Sequence, residues 1–139
     1  MAELRETYLP RADDSDVRCY LAMMDGLPIG YIQSYVAAKA GEGWWPDERD
    51  LGVVGIDQFL ADEQRLGQGL GTRMVTEFVH FLFQDPAVTR IQADPVPANL
   101  RAIRCYRKAG FHSVGEIITP DGPALLMVLE RSALESRRT

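Results

Sequence analysis

A chain of 139 residues with 46% hydrophobic content is long enough for one domain around one core. The formal charge of −5 and the scattered basic residues argue against nucleic-acid binding, which needs a basic patch. No long uncharged apolar run offers a membrane span, and the charged stretch from Met1 to Pro10 lacks the apolar core of a signal peptide, so a cytoplasmic protein without a membrane partner is expected.

In chain order, Glu3 to Leu9 reads as the end of a short helix stopped before Pro10, and Arg11 to Asp16 as a polar loop. Arg18 to Met24 and Pro28 to Val36 are apolar and β-favouring, with the hairpin signal Asp25-Gly26 between them. Ala38 to Leu51 reads as a long loop that holds Trp44 and Trp45 and the acids Glu42, Asp47, Glu48 and Asp50. An acidic cleft attracts a cationic substrate, but from charge alone a solvated loop is the simpler reading. Gly52 to Leu60 follows as a strand. Leu70 to Phe83 carries Leu70, Met74, Phe78, Phe81 and Leu82 at helical spacing, and Asp85-Pro86 ends that helix. Arg90 to Ala93 is a short strand. Asn99 caps a helix that runs to Ala109, with Gly110 as its C′ residue. Phe111 to Thr119 and Ala124 to Arg131 form a second hairpin around Asp121-Gly122-Pro123. After the leading helix the order is ββ, β-loop-α, βα, ββ. It predicts an α/β (α+β) domain over residues 1–139, a mixed central sheet flanked by helices.

Gln64-Arg65-Leu66-Gly67-Gln68-Gly69, then Leu70-Gly71-Thr72, lies between a strand and an amphipathic helix. The first amides of a helix have no internal partner, and the helix dipole adds positive charge there. Glycines let the backbone approach a ligand closely, so the segment fits a pyrophosphate cradle, with Arg65 as a charged contact. It is no P-loop, because Gly71 is followed by Thr72-Arg73 rather than Lys and Ser or Thr. Gly67-Gln68-Gly69-Leu70-Gly71 also misses the G-x-G-x-x-G spacing of a dinucleotide fold.

Other polar residues read modestly by themselves. Asp57 lies inside the apolar run Val53 to Leu60 and shares a strand face with Gly55 and Phe59. It is either an outward-facing acid or a useful one, since burying an unpaired acid is costly. Tyr106 shares a helix face with Ala102 and Ile103, the position of a core tyrosine. Asp94 before Pro95, and Asp121 before Gly122, are turn residues. Cys19 and Cys105 read as reduced packing residues, and His80 and His112 have no partner at metal-ligand spacing, so no metal is expected.

The Gln-x-x-Gly-x-Gly run and the later segment Asn99-Leu-Arg-Ala-Ile-Arg-Cys-Tyr106-Arg-Lys-Ala-Gly-Phe111 resemble two motifs of the GNAT acetyltransferases, in the right order and in the right elements. Further segments resemble the aminoglycoside 6′-N-acetyltransferases in particular: Pro28 to Tyr35, Gly43 to Trp45, Gly55 to Gln58, Gln92 to Pro95 and Thr119 to Pro123. The resemblance implies acetyl-CoA as co-substrate, held by Phe59, Leu60, the loop from Gln64 to Thr72, Asn99 and Tyr106. It implies Asp57 at the reacting amine and Tyr106 as the acid toward the CoA sulfur. It also implies a small cationic acceptor met by Glu42, Trp44, Trp45, Asp57, Asp94 and Asp121. Direct attack in a ternary complex is expected. Alternatives are another amine acceptor (a polyamine, a hydroxylysine, a protein N-terminus) or a chain that binds acetyl-CoA without turnover. Relative to the family, the usual first strand and helix are missing from the reading, which leaves a sheet edge unpaired; either a homodimer covers it, or the chain is a monomer whose Met1 to Pro10 segment and Trp44-Trp45 loop close the site.

Overall fold

The computed structural model describes residues 2–7, 17–24, 27–39, 45, 48–60 and 70–133. Seven strands form one sheet: β1 (Ala2–Thr7), β2 (Val17–Met24), β3 (Leu27–Val36), β4 (Val53–Leu60), β5 (Arg90–Ala93), β6 (His112–Thr119) and β7 (Gly122–Glu130). Among the described residues two α-helices accompany them, α1 (Leu70–Leu82) and α2 (Leu100–Ala109), with a 3-10 turn at Ala37–Lys39. The spatial order is β1-β2-β3-β4-β5-β7-β6, and every neighbouring pair is antiparallel except β4 with β5. Parallel neighbours need a crossover, and α1 supplies it.

The first segment departs from the sequence reading. Ala2–Thr7 is a strand and not the end of a helix, and it pairs antiparallel with β2 from Ala2↔Met24 to Thr7↔Cys19. Six residues are too few to sustain a helix by local bonding, whereas the edge of β2 offers a full row of N–H and C=O groups. A first strand is therefore present, and the argument for a dimer at that edge loses its premise. The Asp25-Gly26 turn itself lies outside the described residues, although β2 and β3 pair on either side of it.

The core lies between the sheet and the two helices. Ile32, Val54, Ile56, Ile91, Ala93, Met127 and Leu129 meet Val75, Phe78 and Val79 of α1 and Ile103 and Tyr106 of α2. Phe78 is fully buried and meets the edge of the Tyr20 ring at 5.3 Å between centroids. Past the end of α1, the Arg131 guanidinium donates to the carbonyls of Phe83 at 3.0 Å, Asp85 at 2.7 Å and Val88 at 2.8 Å. A cation there satisfies carbonyls of the turn that follows the helix. Helix α2 has the caps read from sequence. Asn99 Oδ1 accepts from the Ala102 amide at 3.2 Å, and Gly110 closes the helix at φ 112°, where a side chain would be strained. Of the described helices, none is long and apolar enough to cross a membrane.

Candidate active site

Alternation along the strands sorts the polar residues onto the sheet face opposite the helices. Cys19 of β2 pairs with Gln33 of β3, and Gln33 with Asp57 of β4. Tyr35 pairs with Gly55, and Gly55 with Gln92 of β5. Paired residues share a face, so these six stand together. Asp94 follows two residues beyond Gln92, just past the end of β5.

Strands β4 and β5 stay paired only from Val53↔Arg90 to Gly55↔Gln92. Beyond that, β4 continues to Leu60 while β5 stops at Ala93. The backbone of Ile56 to Leu60 thus has no β5 partner and borders a slot. Such a slot suits an extended ligand that carries amides, because free strand N–H and C=O groups bond to it as to another strand. Phe59 and Leu60 contribute backbone to this edge. The glycine run up to Gly69 ends where α1 begins at Leu70. Gln64, Arg65, Leu66, Gly67, Gln68 and Gly69 lie outside the described residues, as do Glu42 and Trp44. Gly71 and Thr72 form the first turn of α1, and the Thr76 hydroxyl donates to the Thr72 carbonyl at 2.8 Å. Asn99 has its side-chain oxygen committed to the cap of α2.

At the mouth of the slot three carboxylates gather. Burial raises Asp57 above the usual carboxylate range; a hydrogen bond from Gln33 opposes the rise and the charge of Asp121 adds to it. Asp94 is pushed up to about 7, first by burial and then by the charge of Asp57, with its own backbone amide pulling the other way and Asp121 adding a little. Asp121 sits in the turn of the β6–β7 hairpin. Its amide donates to Thr119 Oγ1 at 3.1 Å, and that hydroxyl donates to the Gly122 carbonyl at 2.9 Å. The Leu125 amide donates to the Pro95 carbonyl at 2.8 Å, which ties this hairpin to the Asp94-Pro95 turn.

Two phenols complete the cluster. Tyr106, buried in α2 with its ring 5.3 Å from that of Phe111, lies on the helix side within electrostatic range of Asp57 and Asp94. Burial, then Asp57 and Asp94, raise its pKa far above the ordinary phenol range. Tyr35 is raised likewise by burial, then by Asp94 and Asp57. Both therefore stay protonated and able to donate. The phenol end of the Tyr35 ring fills the volume that a Cβ on Gly55 would occupy. This close approach requires glycine there. The Trp45 indole stands beside Tyr35 and slightly favours its ionised form, but its N–H does not reach hydrogen-bonding geometry.

Sequence reasoning named Asp57, Asp94, Asp121, Trp45 and Tyr106, and the structure brings all five together. It missed Gln33 and Tyr35 as members of the cluster. Their only local signal is the period-two spacing of Tyr31, Gln33 and Tyr35. The acidic loop divides differently. Glu48 pairs with Arg90, which also meets Glu130 at 3.6 Å, and Asp50 accepts from the Gly52 amide at 2.8 Å and from the Thr89 hydroxyl at 2.8 Å. The Gly52 amide foremost holds the Asp50 carboxyl below its usual range. These two acids fasten the loop to the sheet, and among the described residues the acids at the slot are Asp57, Asp94 and Asp121.

A slot for an extended amide-bearing ligand that opens onto acids and protonated phenols defines a group-transfer site, one that binds a cation and moves its protons. Comparison with known proteins narrows the class. Residues 1–119 match the family described as "Acetyltransferase (GNAT) domain". The chain is 55% identical over 140 residues to aminoglycoside N(6′)-acetyltransferase type 1 of Klebsiella pneumoniae, which covers all of this chain and 70% of that protein. It is 58% identical over 96 residues to a kanamycin resistance protein of Rhizobium radiobacter, covering 69% of this chain and 89% of the relative. Among solved structures, aminoglycoside acetyltransferase AAC(6′)-Ib in complex with coenzyme A and kanamycin superposes with a TM-score of 0.87 at 57% identity, covering 91% of this chain and 73% of the other. The chain belongs to the GNAT acetyltransferases.

Proposed function

We propose that this protein transfers the acetyl group of acetyl-CoA to the 6′-amine of an aminoglycoside, and so confers resistance to such antibiotics. The observation that carries this reading is the convergence of Asp57, Asp94 and Asp121 with Tyr106 where β4 and β5 part. Three acids around one slot favour a polycationic acceptor over a neutral one. The relatives named above support the choice of aminoglycoside.

Acetyl-CoA lies along the slot, its amides on the β4 edge and its pyrophosphate at the amides that open α1, the helix that follows the Gln64 to Gly69 run in sequence. Asp94 and Asp121 hold acceptor ammonium groups, and Trp45 walls the cleft. Asp57 orients the reacting amine and takes its proton. As the new C–N bond forms and the C–S bond breaks, Tyr106 donates its hydroxyl proton to the departing sulfur. Its raised pKa keeps that proton available at neutral pH.

The test is thiol release from acetyl-CoA with kanamycin or tobramycin as acceptor, run beside polyamines and other primary amines. Acceptor-dependent release with an aminoglycoside, at a kcat/KM above that of the other amines, is expected. Failure with every aminoglycoside would overturn the assignment, and a better non-aminoglycoside acceptor would replace it.

A further inference from the structure

Asp57 is not held by its own strand alone. Its Oδ2 accepts a hydrogen bond from Gln33 Nε2 at 3.1 Å. The other end of that amide is also fixed, since Gln33 Oε1 accepts from the Tyr31 hydroxyl at 3.0 Å. The Tyr31 oxygen in turn lies 2.7 Å from Cys19 Sγ, and Cys19 Sγ lies 4.0 Å from Gln33 Oε1. A phenol has one proton. When Tyr31 spends it on Gln33, the Cys19 thiol serves as donor to Tyr31. An ionised carboxylate only accepts, so the orientation of the Gln33 amide is settled by its two neighbours: nitrogen toward Asp57, oxygen toward Tyr31.

The geometry follows from register. Cys19, Gln33 and Asp57 are direct partners across β2, β3 and β4, and Tyr31 stands two residues before Gln33 on the same face. A line of hydrogen bonds therefore crosses three strands and ends on the acid at the slot.

We propose that Gln33, clamped by Tyr31 and Cys19, is a positioning residue that fixes the orientation of the Asp57 carboxylate and keeps it ionised for the amine. This rests on the role assigned to Asp57 under the proposed function. Gln33 touches neither substrate nor co-substrate in this account. Its effect runs wholly through Asp57. Among the described residues, the other titratable groups in the field of Asp57 are Asp121 in the β6–β7 turn, Asp94 past β5, Tyr35 on β3 and Tyr106 on α2. Asp121 disfavours a charge on Asp57, the charge of Asp57 in turn raises Asp94, and the two phenols stay neutral. Gln33 is the partner whose bond favours the charged form, against the burial that opposes it.

The experiment compares wild type with Gln33→Leu, Tyr31→Phe and Asp57→Asn, using kcat, the acceptor KM and the pH dependence of kcat/KM with kanamycin. It adds a carbon-detected NMR titration of the Asp57 carboxyl, which needs no turnover. With the Gln33 donor removed, the Asp57 midpoint and the acid limb of kcat/KM move together to higher pH, by about one pH unit, and kcat near neutrality falls about tenfold. Tyr31→Phe leaves the donor in place but frees the far end of the amide, and gives a smaller shift in the same direction. It also serves should Gln33→Leu fail to fold. An unmoved Asp57 midpoint in the folded variants overturns the proposal, as does a lowered rate with an unmoved acid limb. If Asp57→Asn turns over like wild type, the role of Asp57 falls and the positioning role with it. If Asp57→Asn is impaired while Gln33→Leu matches wild type, the positioning role falls alone.

Discussion

The two faces of one sheet have been put to different uses. The helix-covered face carries Ile32, Val54, Ile56, Ile91 and Leu129 against Phe78 and Val79, an apolar layer without a hydrogen-bonded side-chain network. On the opposite face, the same strands present Gln92 and also Cys19, Gln33, Tyr35 and Asp57, which hydrogen-bond to one another or lie in the field of the acids. Interior packing on the first face stabilises without needing particular chemistry, since volume and shape are what matter there. Buried polar groups on the second face cost free energy that the fold must make up elsewhere. Substrate binding and proton transfer explain why such groups are retained. The comparison teaches that stability and activity can be perturbed separately by choosing the face.

The largest effect is expected on the apolar face. Phe78→Ala removes a fully buried ring at the centre of the core and should cost about 3–5 kcal/mol in denaturant unfolding. Where the variant still folds, the pH profile of its activity should match wild type. A changed acid limb would show that the faces are not separable. Tyr106 tests the seam between them, because it packs in the core and feels the charges of Asp57 and Asp94. Tyr106→Phe should lower kcat by about 100-fold, the lower end of general acid–base effects, and leave the calorimetric affinity for acetyl-CoA nearly intact. Wild-type turnover would return Tyr106 to the core alone.

Gly55→Ala is the next largest. The added methyl meets the Tyr35 ring, and an overpacked site of this kind should lose about 1–3 kcal/mol together with activity. The double variant Gly55→Ala, Tyr35→Ala should recover much of the stability and little of the activity. Recovery of both would mean that Tyr35 is only a lid on the sheet.

The smallest expected effect has the opposite sign. Asp94 titrates at about 7 in the folded chain against 3.8 for an ordinary aspartate. Between those values the unfolded chain has released the proton and the folded chain still holds it, so wild-type stability declines as pH rises through the window. Asp94→Asn removes that penalty. Its thermal midpoint should exceed wild type by about 3 °C at pH 8, for roughly 1 kcal/mol after solvent screening, and the gain should vanish below about pH 4. Its acceptor KM should rise. A variant that is more stable at pH 4 than at pH 8 relative to wild type would break the comparison, because the acids would then not be the source of the strain.

Much of this molecule was legible in one dimension. The helix from Leu70, the caps Asn99 and Gly110, both hairpins and the short strand at Arg90 follow from periodicity, capping chemistry and turn residues, which are local rules. The family was legible from two motifs. The first strand was misread because a six-residue segment takes its conformation from the edge it meets, and that edge is not visible in the segment itself. Charge alone made Glu48 and Asp50 part of a solvated loop or, less simply, of an acidic cleft, and neither reading shows their partners Arg90 and Thr89, about 40 residues away, which fasten them to the sheet. Arg131 gave no sign that it would close the end of a helix near Phe83.

What the sequence determined by itself was which residues alternate inward and outward, where the helices begin and stop, and which family the two motifs belong to, because each depends on neighbours within a few positions. Only the tertiary structure decided that Gln33 would face Asp57, that Tyr35 would lie on Gly55 and that Asp94 would come within range of Asp57 and Asp121. Those contacts depend on register across β3, β4 and β5, and a shift of one residue would carry each side chain to the other face. Burial then raises the pKa of Asp57 and Asp94, and burial is set by everything that packs around a residue, which no short stretch of sequence contains.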